Sequence, residues 1–152
     1  TGRALDWIRV DGENFLAKPI EEALQRHPAV YLASVYGVPD AAAGDRVMAT
    51  ILLAEDATFD GRELHEFLVR QADFSPKWLP TYVRLGRDIP MTPTNKVLVR
   101  ELRRQKFRLE EVSDPIYWRE RGDAAYKPFA AADYERVLGE FAAAGREHLL
   151  AI

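Results

Sequence analysis

No cysteine occurs among the 152 residues, which excludes a disulfide framework and thiolate metal sites. The three histidines, His27, His65 and His148, lie far apart and lack metal-ligand spacing, so no metal site is expected. No apolar run approaches the ~20 residues needed to span a bilayer, and no signal peptide is expected from the opening residues. Phosphate-binding and dinucleotide loops are missing, so nothing here would cradle ATP phosphates unaided. Ser34, Ser75 and Ser113 stand in no nucleophile-elbow motif. An excess of basic charge is lacking too: 21 Lys and Arg face 24 Asp and Glu, for a net charge of -3. A general nucleic-acid binder is usually basic, so no nucleic-acid partner is expected. These absences leave a soluble domain, expected in the cytoplasm.

What is present suffices for a core, since 47% of the residues are hydrophobic, and the length suits one domain. The opening "TGRALDW" lacks an initiator Met and begins in mid-pattern. A piece of a longer protein would begin so, as would a chain whose Met had been removed before a small residue. No internal repeat is present. "DWIRV" (6–10) alternates like a strand, and "DGEN" (11–14) is a strong turn signal. A short helix is expected from about Pro19, with Ile20, Ala23, Leu24 and His27 on one face and Pro28 ending it.

"AVYLASVYGV" (29–38) and "RVMATILL" (46–53) read as antiparallel neighbours. Asp60 and Glu63 suggest a capping box, with Phe59 and Leu64 as its hydrophobic staple. Leu64, Phe67, Leu68 and Gln71 then share a helix face. A third strand is expected over 81–89 and a short helix over 98–106. Residues 113–129 read as irregular and aromatic, followed by a helix carrying Tyr134, Val137, Leu138, Phe141 and Gly145 at helical spacing. The fold class is α+β: a small, mainly antiparallel sheet of about three strands covered by helices, with a helical C-terminal extension.

One loop carries a chemical suggestion. "PMTPTNKVLV" (90–99) places Lys96 between a stretch stiffened by Pro90 and Pro93 and an apolar run. Most exposed lysines do nothing specific. A cation held at a restrained tip, however, is what charge stabilisation in a transition state requires. The basic run that follows, Arg100, Arg103, Arg104, Lys106 and Arg108 against Glu101, reads either as a solvated helix face or as a surface that meets phosphates. No RNA-binding aromatic platform accompanies it.

The segment "PMTPTNKVLVREL" resembles the last core motif of the adenylate-forming enzymes, which include acyl-CoA synthetases, peptide-synthetase adenylation domains and luciferases. Pro90, Lys96, Val97, Arg100 and Leu102 match it. The opening "GRALDWIRVDGENF" resembles the hinge motif of the same superfamily through Arg3, Asp6, Gly12, Glu13 and Asn14. "GEN", "LPTYVR" and "RQKFR…DPIYW" are similar to the very-long-chain acyl-CoA synthetase or fatty-acid transport protein branch. Two departures stand out. Asn95 replaces the usual Gly, and Asn is the next-best residue for a left-handed backbone. Leu5 occupies the customary pivot, so Leu5 and Asp6 share the hinge assignment.

The resemblance implies that residues 1–152 form the mobile C-terminal domain of an ATP-dependent long- or very-long-chain fatty-acid–CoA ligase. Its partner would be its own N-terminal adenylation domain, which would bind ATP, Mg and the fatty acid. That domain also leaves room for peripheral membrane association. Lys96 would be the adenylation cation, and Arg3 would contact the nucleotide. Gly12, Glu13 and Asn14 would line the channel for coenzyme A, the co-substrate, after rotation about the hinge. The chain alone would be inactive. Two other readings stand beside this one: an acyl-AMP ligase or carrier-loading enzyme of the same superfamily, and a stand-alone interaction module.

Overall fold

A computed structural model describes residues 7–87 and 99–151. The chain opens with a hairpin, β1 (Trp7–Val10) and β2 (Glu13–Leu16), paired with Val10 opposite Glu13. Its two-residue turn has positive φ at both Asp11 (50°) and Gly12 (83°). Asp-Gly is a favoured pair for such a turn, because its twist matches the flanking strands.

Helix α1 (Lys18–Gln25) buries Ile20, Ala23 and Leu24, with Pro19 in its first turn. Strands β3 (Val30–Pro39) and β4 (Asp45–Leu53) are antiparallel, with a register irregularity between Val30 and Leu32. Helix α2 (Gly61–Arg70) then carries the chain across to β5 (Tyr82–Leu85), which lies parallel to β4. Helix α3 (Val99–Gln105), β6 (Ile116–Trp118), β7 (Lys127–Pro128) and α4 (Ala131–Ala143) follow.

The larger sheet runs β3-β4-β5-β6-β7, antiparallel except at β4–β5. It is wider than the three central strands expected, because the aromatic stretch 113–129 adds β6 and β7. Those strands have three and two residues, too short to display an alternation. The third expected strand is shorter than 81–89: β5 stops at Leu85.

Alternating side chains divide the core into two layers. Val35, Ala49, Ile51 and Val83 face α1, α2 and the hairpin, packing with Ile8, Leu24 and Leu68. Tyr36, Met48, Tyr82 and Trp118 pack instead with Leu102, Phe107 and Phe141 on the α3 and α4 side. Tyr82 stacks on Phe107 with centroids 4.4 Å apart. Burial on both faces explains why β3 reads as one apolar run.

The outer edge of β3 is not left bare. Its Ala33 and Val35 N–H groups donate to Gln25 Oε1 (3.0 Å) and Glu21 Oε2 (2.8 Å) of α1. On α2, Asp60 caps as expected, accepting from the Arg62 and Glu63 N–H groups at 3.1 Å each. The box is only half made: the Glu63 carboxylate meets His27 Nε2. Gly61, the first residue of α2, is required by close approach. A Cβ there would lie 2.1 Å from the Tyr126 carbonyl oxygen.

Candidate functional site

The hairpin tip is built by the Asp11–Gly12 turn, and three contacts hold it. Arg9 N–H donates to Asp45 Oδ2 at 3.0 Å, tying β1 to the start of β4. Arg121 donates to Asp11 at 3.0 Å, and Lys77 Nζ lies 2.7 Å from Glu13 Oε2. Gly12 stands between these anchors in open space: a Cβ built there meets nothing within 4 Å. Asn14, next along β2, lies with its Oδ1 3.4 Å from Arg9. Gly12, Glu13 and Asn14 are therefore brought together on an exposed, braced turn.

Beside this tip lies a cleft of about 430 Å³, bordered by Asp11, Asp40, Lys77, Trp118 and α4. Its charges are mostly neutralised within the fold. Arg46 meets Asp40 at 2.8 Å and Arg136 meets Glu120 at 2.8 Å. Partial burial pushes the Asp40 carboxyl up. The bond and charge of Arg46, with the Ala43 and Ala42 N–H groups, outweigh that and hold it below the usual carboxylate range. Burial raises the Tyr82 phenol, which keeps it neutral.

The basic run resolves largely into internal pairing. Arg104 bonds Glu101 and Glu111, and Arg108 donates to the Arg104 carbonyl. Lys106 is buried to 6% exposure, and burial followed by the charges of Arg108, Arg103 and Arg104 lowers its pKa. Arg104 thus fits the solvated-face reading, whereas Lys106 is turned into the fold and fits neither reading.

Lys96, Arg3, Leu5 and Asp6 lie outside the described residues. The described residues on either side of 88–98 meet at one place. Arg84, buried in β5, donates from Nε to Asp114 Oδ2 (2.8 Å) and from a terminal nitrogen to Gln105 Oε1 (2.6 Å). Asp114 Oδ1 accepts the Arg87 N–H at 3.2 Å. Sequence reasoning missed this cluster. Its one visible sign was an arginine inside the apolar run "TYVRL". Among the described residues no group of three or more His, Asp or Glu is placed to hold a metal ion. Nor is any described helix long and apolar enough to cross a membrane.

The sheet, hairpin and flanking helices define a known domain class. The family model "AMP-binding enzyme C-terminal domain" matches residues 19–96, and the chain belongs to that family. Among curated relatives, a steroid-22-oyl-CoA synthetase of Rhodococcus jostii is 41% identical over 150 residues, 98% of this chain and 26% of that protein. A medium/long-chain fatty-acid–CoA ligase of Mycobacterium marinum is 46% identical over 101 residues, 66% of this chain and 20% of that protein. The chain thus spans about a quarter or less of these relatives' length. Among solved structures, ATP-bound MatB from Rhodopseudomonas palustris superposes with a TM-score of 0.60 at 28% identity, covering 67% of this chain and 20% of that one. The α+β fold is that of adenylate-forming C-terminal domains.

Proposed function

We propose that this chain is the mobile C-terminal domain of an ATP-dependent acyl-CoA ligase and serves both half-reactions in turn. Membership of the family supports this reading, and the open, braced Gly12 turn is the structural observation that carries it. In the first step a carboxylate oxygen attacks the α-phosphorus of ATP, and pyrophosphate leaves. Two anions must meet, so a cation held between them offsets repulsion and aligns attack. Lys96 is that cation and Arg3 contacts the nucleotide. In the second step the domain turns about Leu5 and Asp6. The CoA sulfur, having lost its proton, attacks the acyl carbon and AMP leaves. Gly12, Glu13 and Asn14 then line the pantetheine path.

ATP and the acyl group are held mainly by the N-terminal adenylation domain. The described residues offer no fit for Mg, which would neutralise phosphate charge in that other domain. The acid is a long or bulky one. Support comes from the Rhodococcus relative, named for a steroid-22-oyl product, which aligns across the C-terminal extension as well. Carrier-protein acceptance is the second reading, favoured by a fatty acid–[acyl-carrier-protein] ligase of Streptomyces coeruleorubidus that is 40% identical over 102 residues. The cytoplasm is the proposed location, with any membrane contact made by the N-terminal domain.

The test is Lys96→Ala in the full-length protein, assayed with fatty acids and steroid side-chain acids. Pyrophosphate release falls by at least ~10²-fold, since ~3 kcal/mol of transition-state stabilisation is lost. Supplied acyl-AMP is still converted to acyl-CoA. Equal loss in both steps would make Lys96 structural. The isolated chain shows no turnover.

A further inference from the structure

We propose that Arg84, Asp114 and Gln105 form a positioning clamp for Lys96, tying together the two described flanks of residues 88–98. The inference rests on the reading of Lys96 as the adenylation cation. Arg87 ends one flank and α3 begins the other.

Each clamp contact bears on a flank. Beyond β5 the chain is held residue by residue: Leu85 N–H donates to the Pro115 carbonyl, Gly86 N–H to the Ile51 carbonyl, and Arg87 N–H to Asp114 Oδ1. The other Asp114 oxygen accepts from Arg84, whose guanidinium also reaches Gln105 at the end of α3. One carboxylate and one guanidinium thereby fix the exit from β5 against the helix that follows Lys96.

The ion pair is almost wholly buried, with side chains 4% and 3% exposed. Such a pair gains little stability over a well-packed apolar one, because both charges lose their water. An apolar pair, however, could not hold the Arg87 N–H or the Gln105 amide. The polar pair therefore does something packing alone would not: it fixes direction. A misplacement of about 1 Å at a catalytic group costs about 10²-fold in rate.

The variants are made in the full-length enzyme. Arg84→Met with Asp114→Leu replaces the buried charges by apolar bulk and removes both ties. Pyrophosphate release is expected to fall about 10²-fold. The melting temperature and the conversion of supplied acyl-AMP to acyl-CoA stay near wild type. On a Lys96→Ala background the same pair of changes adds no further loss, because the clamp acts through that lysine. Gln105→Leu removes one tie alone and is expected to cost about 10-fold in the first step only. It carries the test if the double variant does not fold.

Unchanged pyrophosphate release in a folded variant, equal losses in both steps, or losses that add to Lys96→Ala would each overturn the clamp. If Lys96→Ala loses adenylation while the clamp variants do not, the clamp fails and the role of Lys96 stands. If Lys96→Ala keeps adenylation, that role fails and the clamp with it.

Discussion

The Asp11 carboxylate lies 3.0 Å from the Arg121 guanidinium, 110 residues further along the chain. With Lys77 on Glu13, this secures the hairpin tip on both sides of Gly12. Both pairs are exposed, so each contributes at most about 1 kcal/mol. Placed on either side of a two-residue turn, they nonetheless bias its orientation.

Gly12→Trp follows from that arrangement. A Cβ at this position meets nothing within 4 Å, so the main cost expected for the fold is what the positive φ of 83° imposes, about 1 kcal/mol. Pyrophosphate release is expected to stay near wild type, while acyl-CoA formation is expected to be blocked by an indole in the proposed pantetheine path. A melting curve with separate half-reaction assays decides it. Normal stability together with normal acyl-CoA formation would show that the turn lines no channel.

Much of this turn was legible in the sequence. Asp-Gly between two short runs announces the hairpin, and the long β3 and β4 announce themselves by their apolar residues. Residues 113–129 did not, because two- and three-residue strands carry no period. The Glu63 carboxylate was also misassigned, since its partner His27 lies 36 residues away and local spacing cannot see it. For the same reason Arg84 and Asp114, 30 residues apart, stayed hidden. Lys96 and Arg3 were assigned through motif resemblance alone, and the described residues supply only the flanks of Lys96.

Gly61→Ala tests the junction of α2 with the extension. A methyl group would overlap the Tyr126 carbonyl, whose own N–H donates back to the Gly61 carbonyl at 3.1 Å. Backbone must shift on one side, which costs about 1–3 kcal/mol. Urea unfolding of the isolated chain measures it. A variant as stable as wild type would mean the two segments are not held this closely.

Asp40 sets a pH dependence. Its folded pKa is lowered, so protonation is disfavoured by folding. The associated stability is fully present above the ordinary Asp value of about 3.9 and is lost as pH falls through the folded value. Comparing wild type with Asp40→Asn removes the contribution of other carboxylates. The stability gap is expected to be constant near neutral pH and to close below about pH 4. A gap that widens on acidification would contradict the assigned direction.

The two flanks of the larger sheet end in opposite ways. At β3 the helix α1 lends Gln25 and Glu21 to outward-facing N–H groups. At the other flank β7 is two residues long and ends in Pro128, which has no N–H to offer. At both borders part of the ladder onto which a foreign strand could zip is withheld. In the proposed cycle, a domain that lets go of its neighbour would spend part of each turnover with its sides uncovered. In a cell crowded with nascent chains, borders closed in this way would keep it from becoming a seed for fibrils.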